Sequence, residues 1–241
     1  LTWVDAVVAG IPVTARSGAA VELNALWFDA ICFYLKLMEN LGQKKQILKY
    51  EWIRDAIREN FARLFYNHER GYLADYIDLA GSHFEIRPNM IYAVSLPYSP
   101  LTPEQQLSVL TIVEQHLYTP LGLHTLSPRN PMYKGQYAGD QPTRDAAYHQ
   151  GTIWTWLLEP YFEAVERVWG EAAALKTGKE ILKALEKEMH RYGVGTIGEV
   201  FDGDPPHAPG GTIAQAWSVA AAMRILRKVQ SFEAKGKKGG I

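Results

Sequence analysis

The strongest constraint on this chain is an alternation in the character of its helical segments. Seven stretches carry helical periodicity. Residues 19–41 are apolar nearly all round, with Leu23, Leu26, Trp27, Phe28, Ile31, Phe33 and Tyr34, which predicts a helix buried on most sides. Residues 45–66 place Tyr50, Ile53, Ile57, Phe61 and Leu64 on one stripe and charges elsewhere. A short apolar run follows at 89–96, then an amphipathic segment at 103–117 that opens with Thr102 as N-cap and Pro103 in the first turn. Residues 150–168 are apolar and aromatic, 171–190 are amphipathic, and 211–228 are apolar and Ala-rich. Buried helices lining a centre, wrapped by half-exposed ones, account for this order. Strand signal is confined to a possible hairpin near Tyr72–Leu79.

The connections repeat the asymmetry. Links from buried to amphipathic segments are short, near Gly42, Pro97–Pro100 and Gly170. The return links, about 67–88, 118–149 and 191–210, are long, and long ordered loops in a domain are usually functional. In an up-down arrangement the starts of all inner helices lie at one end. These three loops and residues 1–18 therefore converge on one rim, where the helix N-termini direct their positive dipole ends.

The net charge of −1 and the lack of a basic patch argue against a nucleic-acid partner. No apolar run approaches the ~20 residues of a spanning helix, so no membrane role is expected. The single cysteine, Cys32, makes no intrachain disulfide and reads as a buried structural thiol in a reducing, cytoplasmic setting. Lys235, Lys237 and Lys238 lie in a Gly-rich tail, so residues 1–230 are expected to fold and 231–241 to be disordered.

The rim loops carry the chemistry. The first brings Trp3, Asp5 and Arg16, with Glu22, Asn24 and Trp27 at the start of its helix. The second ends in Arg87 and Asn89. The third supplies Arg144, Asp145, His149, Gln150 and Trp154. The fourth holds Glu199, Asp202, Asp204 and His207, stiffened by Pro205, Pro206 and Pro209, with Gln215 and Trp217 following. No Ser/His/Asp elbow, phosphate-binding Gly loop or Cys/His zinc spacing is present. Carboxylates, amides and aromatic faces together suit a carbohydrate, and two carboxylates across a glycosidic bond suffice for hydrolysis.

Thr2-Trp3-Val4-Asp5-Ala6 resembles the T-W-M-D-A motif of the amylo-α-1,6-glucosidase family, the C-terminal part of glycogen-debranching enzymes. So do Val21–Trp27 (VELNALW), Ile86–Asn89 (IRPN), Leu123–Pro128 (LHTLSP), Tyr148–Thr152 (YHQGT), Glu199–His207 (EVFDGDPPH) and Ala214–Ala220 (AQAWSVA). The matches run in order over nearly the whole chain. Val4, Ala15, Ala19, Thr155 and Gly210-Gly211 depart from the family pattern without removing a catalytic candidate.

The resemblance implies an all-α (α/α)6 toroid, of which this chain supplies the C-terminal part, about seven of twelve helices. The remaining helices and an N-terminal domain are expected from the same or a partner chain, and without them inner helices would expose apolar faces. It implies hydrolysis of α-1,6-linked glucose at glycogen branch points by inversion, with Asp5 as general acid, Glu199 as base and no cofactor or metal. The other rim residues are then expected to bind glycogen or branched malto-oligosaccharide.

Alternatives stand beside these expectations. Glu22 is a second candidate acid. Asp202 and Asp204 either fix their loop or bind Ca²⁺. His149 binds sugar or is structural. Trp154, Trp156 and Trp217 have core packing as their default. A glucoamylase-like or trehalase-like toroidal enzyme, or a catalytically incomplete glucan-binding fragment, competes with the debranching reading.

Overall fold

In the computed structural model, described over residues 2–238, helices α1 (Val21–Asn40) and α2 (Lys44–Phe65) form an antiparallel hairpin that turns at Gly42, where φ is +68°. A 3-10 turn at Pro88–Ile91 runs into α3 (Tyr92–Ser95), and α4 (Pro103–His116) returns. Thr102 accepts from the Gln105 amide while the Gln105 side chain accepts from the Thr102 amide, a reciprocal cap that fixes where α4 starts. The short α5 (Gln141–Ala147) sits inside the long third loop, capped by the Asp140 side chain on Thr143 N. Helices α6 (Leu158–Trp169), α7 (Glu171–Arg191) and α8 (Ala216–Lys238) complete the chain.

The alternation read from the sequence is the architecture. α1, α3, α6 and α8 lie side by side in that order as an inner arc, with α2 against α1, α4 against α3 and α6, and α7 against α6 and α8. The core runs through this double layer, from Val21 and Phe61 past Met90, Ile91 and Leu110 to Tyr161, Phe162, Ile181 and Ile225. α7 approaches closely because Gly178 has no Cβ: one built there would lie 2.6 Å from Val229 Cγ2 and 2.8 Å from Phe162 Cε2. Cys32 is buried, and no helix among the described residues is long and apolar enough to cross a membrane.

Four expectations need correction. First, α1 is not buried on most sides. Its Val21, Ala25, Phe28, Ile31, Cys32 and Leu35 face the core, but Leu23, Leu26, Trp27, Phe33 and Leu37 are 40–62% exposed. α8 at the other end of the arc likewise exposes Trp217, Val219 and Met223, whereas α6, flanked on both sides, buries Leu158, Tyr161, Phe162, Ala164 and Val165. Within the inner arc, apolar exposure thus falls on the two end helices.

Second, the helical architecture carries short strands. An antiparallel sheet joins, in spatial order, Pro209–Gly210, Val200–Phe201, Ile153–Trp154, Gly122–His124 and Tyr118–Thr119. It ties the third loop to the fourth and delays α6, whose expected first turns are spent on a strand and a 3-10 turn, Thr155–Leu157. Third, the hairpin expected at 72–79 resolves into two: Tyr72–Leu73 pairs back with Tyr66–Asn67, and Tyr76–Asp78 pairs forward with Gly81–His83. Side-chain turns decide this, since Asn67 accepts from Glu69 and Arg70 amides and Asp78 accepts from Ala80 N.

Fourth, the expected disordered tail is helical from 231 to 238, because Phe232 is buried against Phe162 and Lys235 pairs with Glu171 at 2.9 Å. Residues 239–241 lie outside the described residues.

Candidate active site

The rim is welded by a buried cluster of charges. Arg16 Nη1 and Nη2 donate to Glu22 Oε1 and Oε2 at 2.6 and 2.7 Å, a bidentate pair. Its Nε lies 2.6 Å from Asp75 Oδ2, and Nη2 donates to the Asp75 carbonyl at 2.9 Å. Asn89 Nδ2 donates to Asp75 Oδ1 at 2.7 Å, and Arg87 Nε lies 3.9 Å from Oδ2. Arg87 continues outward to the carbonyls of Thr125 and His149 and to Gln150 Oε1 at 2.6 Å. Two cations thus face two anions with no more than 6% exposure at any of the four residues. Burial pushes the Asp75 carboxyl up, while Arg16, Arg87 and the Asn89 amide hold it down.

Arg16, Glu22, Arg87, Asn89 and Gln150, all expected at the sugar, therefore direct their polar atoms at one another beneath the rim, and the geometry gives Glu22 no route to act as the acid. Asp75 carries this cluster and was missed in the sequence. Its sole local signal is one carboxylate in the apolar run Leu73-Ala74-Asp75-Tyr76. Asn24 Nδ2 donates back to the Ala20 carbonyl at 2.8 Å and, with Trp27, lines a groove along α1 and α2. Neither is among the residues lining the cleft at Glu199.

Above the charges lies an aromatic layer. Trp3 donates from Nε1 to Asn89 Oδ1 at 2.7 Å and sets its ring edge-on to His149, Trp154 and Trp156, with centroids 5.1–5.8 Å apart. His149 stacks on Trp154 (5.5 Å, 15°), is 1% exposed, and neither ring nitrogen finds a hydrogen-bond partner among the described residues. Burial, reinforced by Arg87, lowers its pKa to about 3, so His149 is neutral at any physiological pH. Trp154 is buried, whereas Trp156 and Trp217, with Trp3, Glu159 and Ala220, line an open cleft of about 370 Å³. Glu159 was also missed in the sequence. Burial raises its carboxyl, and Arg224, 2.7 Å away, opposes the rise.

Glu199 occupies a second cleft, about 510 Å³, with Tyr137, Arg144, Gly210, Gly211 and Thr212. The half-buried carboxylate accepts from Thr212 N at 2.9 Å and from Gln215 Nε2 at 3.1 Å. It fits because Gly211, at φ +69°, has no Cβ; one built there would collide with Oε2. Asp202 Oδ1 accepts from Tyr137 N at 2.7 Å, His207 Nδ1 lies 2.9 Å from the Asp202 carbonyl, and Asp204 takes the Tyr133 hydroxyl at 3.2 Å. These three side chains hold the loop that presents Glu199. Among the described residues no group of three His, Cys, Asp or Glu side chains could hold a metal ion.

Arg144 anchors on the Gly139 carbonyl at 2.8 Å and faces the Glu199 cleft. Asp145 is half-buried and stops α5 through its carbonyl to Tyr148 N. Asp5 stands exposed at the start of the first loop, whose Val7–Val8 strand packs on α5. Burial raises the Tyr148 hydroxyl first, and the charges of both Glu199 and Asp5 add to the rise, so one phenol feels carboxylates from opposite ends of the chain.

The profile of a family described as amylo-alpha-1,6-glucosidase matches residues 1–224. The glycogen debranching enzyme of Saccharomyces cerevisiae is 28% identical over 206 residues, covering 68% of this chain and 13% of that protein. Among solved structures, neutral trehalase from S. cerevisiae superposes with a TM-score of 0.66 at 15% identity, covering 87% of this chain and 38% of that one. A GH63 mannosylglycerate hydrolase from Thermus thermophilus gives 0.61 at 16% identity, covering 86% and 45%. The helical arc is thus a fold shared with these hydrolases, and the chain spans less than half of each of these relatives.

Proposed function

Since the chain belongs to the amylo-alpha-1,6-glucosidase family of glycoside hydrolases, we propose that it carries the acid and base of a debranching glucosidase acting by inversion. In this reading Asp5 protonates the glycosidic oxygen of an α-1,6-linked glucose at a glycogen branch point. Glu199 takes a proton from the water that attacks the anomeric carbon from the other face. The bond to the leaving oxygen breaks as the bond to water forms, releasing β-glucose. The observation that carries the reading is Glu199 itself: a carboxylate held by two donors at the wall of an open polar cleft that Arg144 also lines. Inversion requires the two carboxyls to lie about 6.5–9.5 Å apart with water between them.

The same reading completes the ring. The arc belongs to an (α/α)6 toroid whose other helices, with an N-terminal domain, come from the same polypeptide or a partner. The exposed apolar faces of α1 and α8 and the small share of the yeast relative that is covered support this. Closure also supplies what an acid working near neutral pH needs, burial or a neighbouring negative charge around the exposed Asp5.

Glucose release from phosphorylase-trimmed glycogen by the full polypeptide tests the proposal. Asp5→Asn and Glu199→Gln are each expected to lose on the order of 10²–10⁴-fold in kcat. Near-full activity in both would overturn it. Preference for α-1,4 linkages or trehalose would instead favour another toroidal glycosidase, and glycogen binding without hydrolysis a glucan-binding fragment.

A further inference from the structure

We propose that Glu159 is a specificity-determining residue of the sugar site: in the cleft walled by Trp3, Trp156 and Trp217, its carboxylate accepts hydroxyl hydrogens of the glucosyl ring that is cleaved off. The inference rests on the reading of the chain as a glucosidase with Asp5 and Glu199 as acid and base.

The position of the cleft carries it first. All five lining residues sit at the rim: Trp3 in the first loop, Trp156 in the 3-10 turn before α6, Glu159 in the first turn of α6, and Trp217 and Ala220 in the opening turns of α8. Trp3 lies two residues from Asp5, and Trp217 two residues from Gln215, whose Nε2 donates to Glu199 at 3.1 Å. Two residues span at most about 7 Å, so the walls of the cleft run directly into the segments that carry or hold both candidate carboxyls.

Its chemistry carries it next. Trp156 sets its ring edge-on to Trp3 (5.1 Å, 89°) and to Trp217 (5.7 Å, 75°), and the Trp3 indole is locked by its bond to Asn89. Crossed indoles give apolar walls of fixed orientation, which suit the C–H faces of a pyranose. The volume, about 370 Å³, falls in the range of small-molecule sites. A pyranose also carries hydroxyls around its edge, and Glu159 is the one charged residue among the five that line the cleft. Arg224 Nε lies 2.7 Å from its Oε1, and no hydrogen bond from the described residues occupies Oε2. Burial disfavours the charge, while Arg224 and the positive start of α6 oppose that. An ionised carboxylate is an acceptor only, the complement of an edge of hydroxyl donors.

The neighbouring ion pairs between α6 and α8 differ. Lys228 holds Glu163 and Glu166 together, at 3.1 and 2.5 Å, and none of the three lines the cleft. Glu163 therefore serves as the control for a merely structural pair.

D-glucose is the probe, titrated into the full polypeptide and followed by tryptophan fluorescence and calorimetry. Saturable binding that perturbs the indole emission is expected. Glu159→Gln should weaken it about 10-fold or more, the worth of a hydrogen bond to a charged group, and Glu163→Gln should stay within about twofold. At least one monodeoxyglucose should bind the parent about 10-fold more weakly than glucose, yet bind Glu159→Gln as well as glucose does, a discrimination that a structural ion pair does not carry. No saturable binding, equal affinities in the parent and Glu159→Gln, an equal loss in Glu163→Gln, or deoxy discrimination unchanged by Glu159→Gln would each overturn the inference. Glucose binding needs no turnover, so those results leave Asp5 and Glu199 standing; full hydrolytic activity in Glu199→Gln would overturn the base assignment instead.

Discussion

Replacing Arg16 with Met tests whether the buried charges weld the rim. Arg16 neutralises two carboxylates at once, with contacts of 2.6 and 2.7 Å to Glu22 and 2.6 Å to Asp75, and all three residues are under 7% exposed. Met preserves most of the volume but leaves Glu22 and Asp75 buried together without their cation. Breaking a buried pair by removing one partner costs about 3–5 kcal/mol. Arg87, 3.9 Å from Asp75 and committed to two carbonyls and Gln150, relieves little of this. For a unit of this size ~4 kcal/mol corresponds to a fall in Tm of roughly 8–16 °C.

Thermal unfolding followed by circular dichroism of the full polypeptide measures it. The penalty should shrink as pH falls towards 5, because carboxylates buried without a counter-charge have folded pKa values above their unfolded ones and are relieved by taking up protons. Adding Glu22→Gln and Asp75→Asn should recover most of the loss, since replacing a whole buried ionic group is often neutral. A fall of under about 2 °C in the single variant, or no recovery in the triple, would refute the account.

His149 gives an acid-stability prediction. It is neutral when folded, with a pKa near 3, and ordinary when unfolded, so it contributes stability that is full above about pH 6.5 and is lost as pH falls towards 3. His149→Phe should therefore match the parent at pH 7 within about 1 kcal/mol but exceed it by roughly 2 kcal/mol at pH 5, as read by urea unfolding. Gly178→Leu should cost about 1–3 kcal/mol by forcing α7 off Val229 and Phe162, and Val229→Ala in the same chain should return part of it.

What the sequence made legible follows from how local each signal is. The Thr102–Gln105 cap and the stripe of α2 are set by neighbours three or four residues apart, and those boundaries were readable. The loop that carries Glu199 stands out locally because a proline-stiffened run of ionisable groups is unusual in itself. Asp75 was not, since its role depends on Arg16, 59 residues away, and no local pattern marks a carboxylate destined for burial. The late start of α6 was hidden for the same reason: Ile153–Trp154 has helical periodicity, and the strands at Gly122–His124 and Val200–Phe201 override it. Arg16, Arg87 and Gln150, expected at a sugar, lie on the rim loops, but their side chains are buried and turned inward.

The five-stranded sheet has a consequence for access. Backbone pairing runs without a break from Tyr118 through Trp154 to Gly210, so connections that are separate in sequence form one plate beside Glu199. No single loop of that plate can swing aside without breaking ladder bonds to the next. The wall that carries Glu199 is therefore held as a fixed outline rather than a hinged flap.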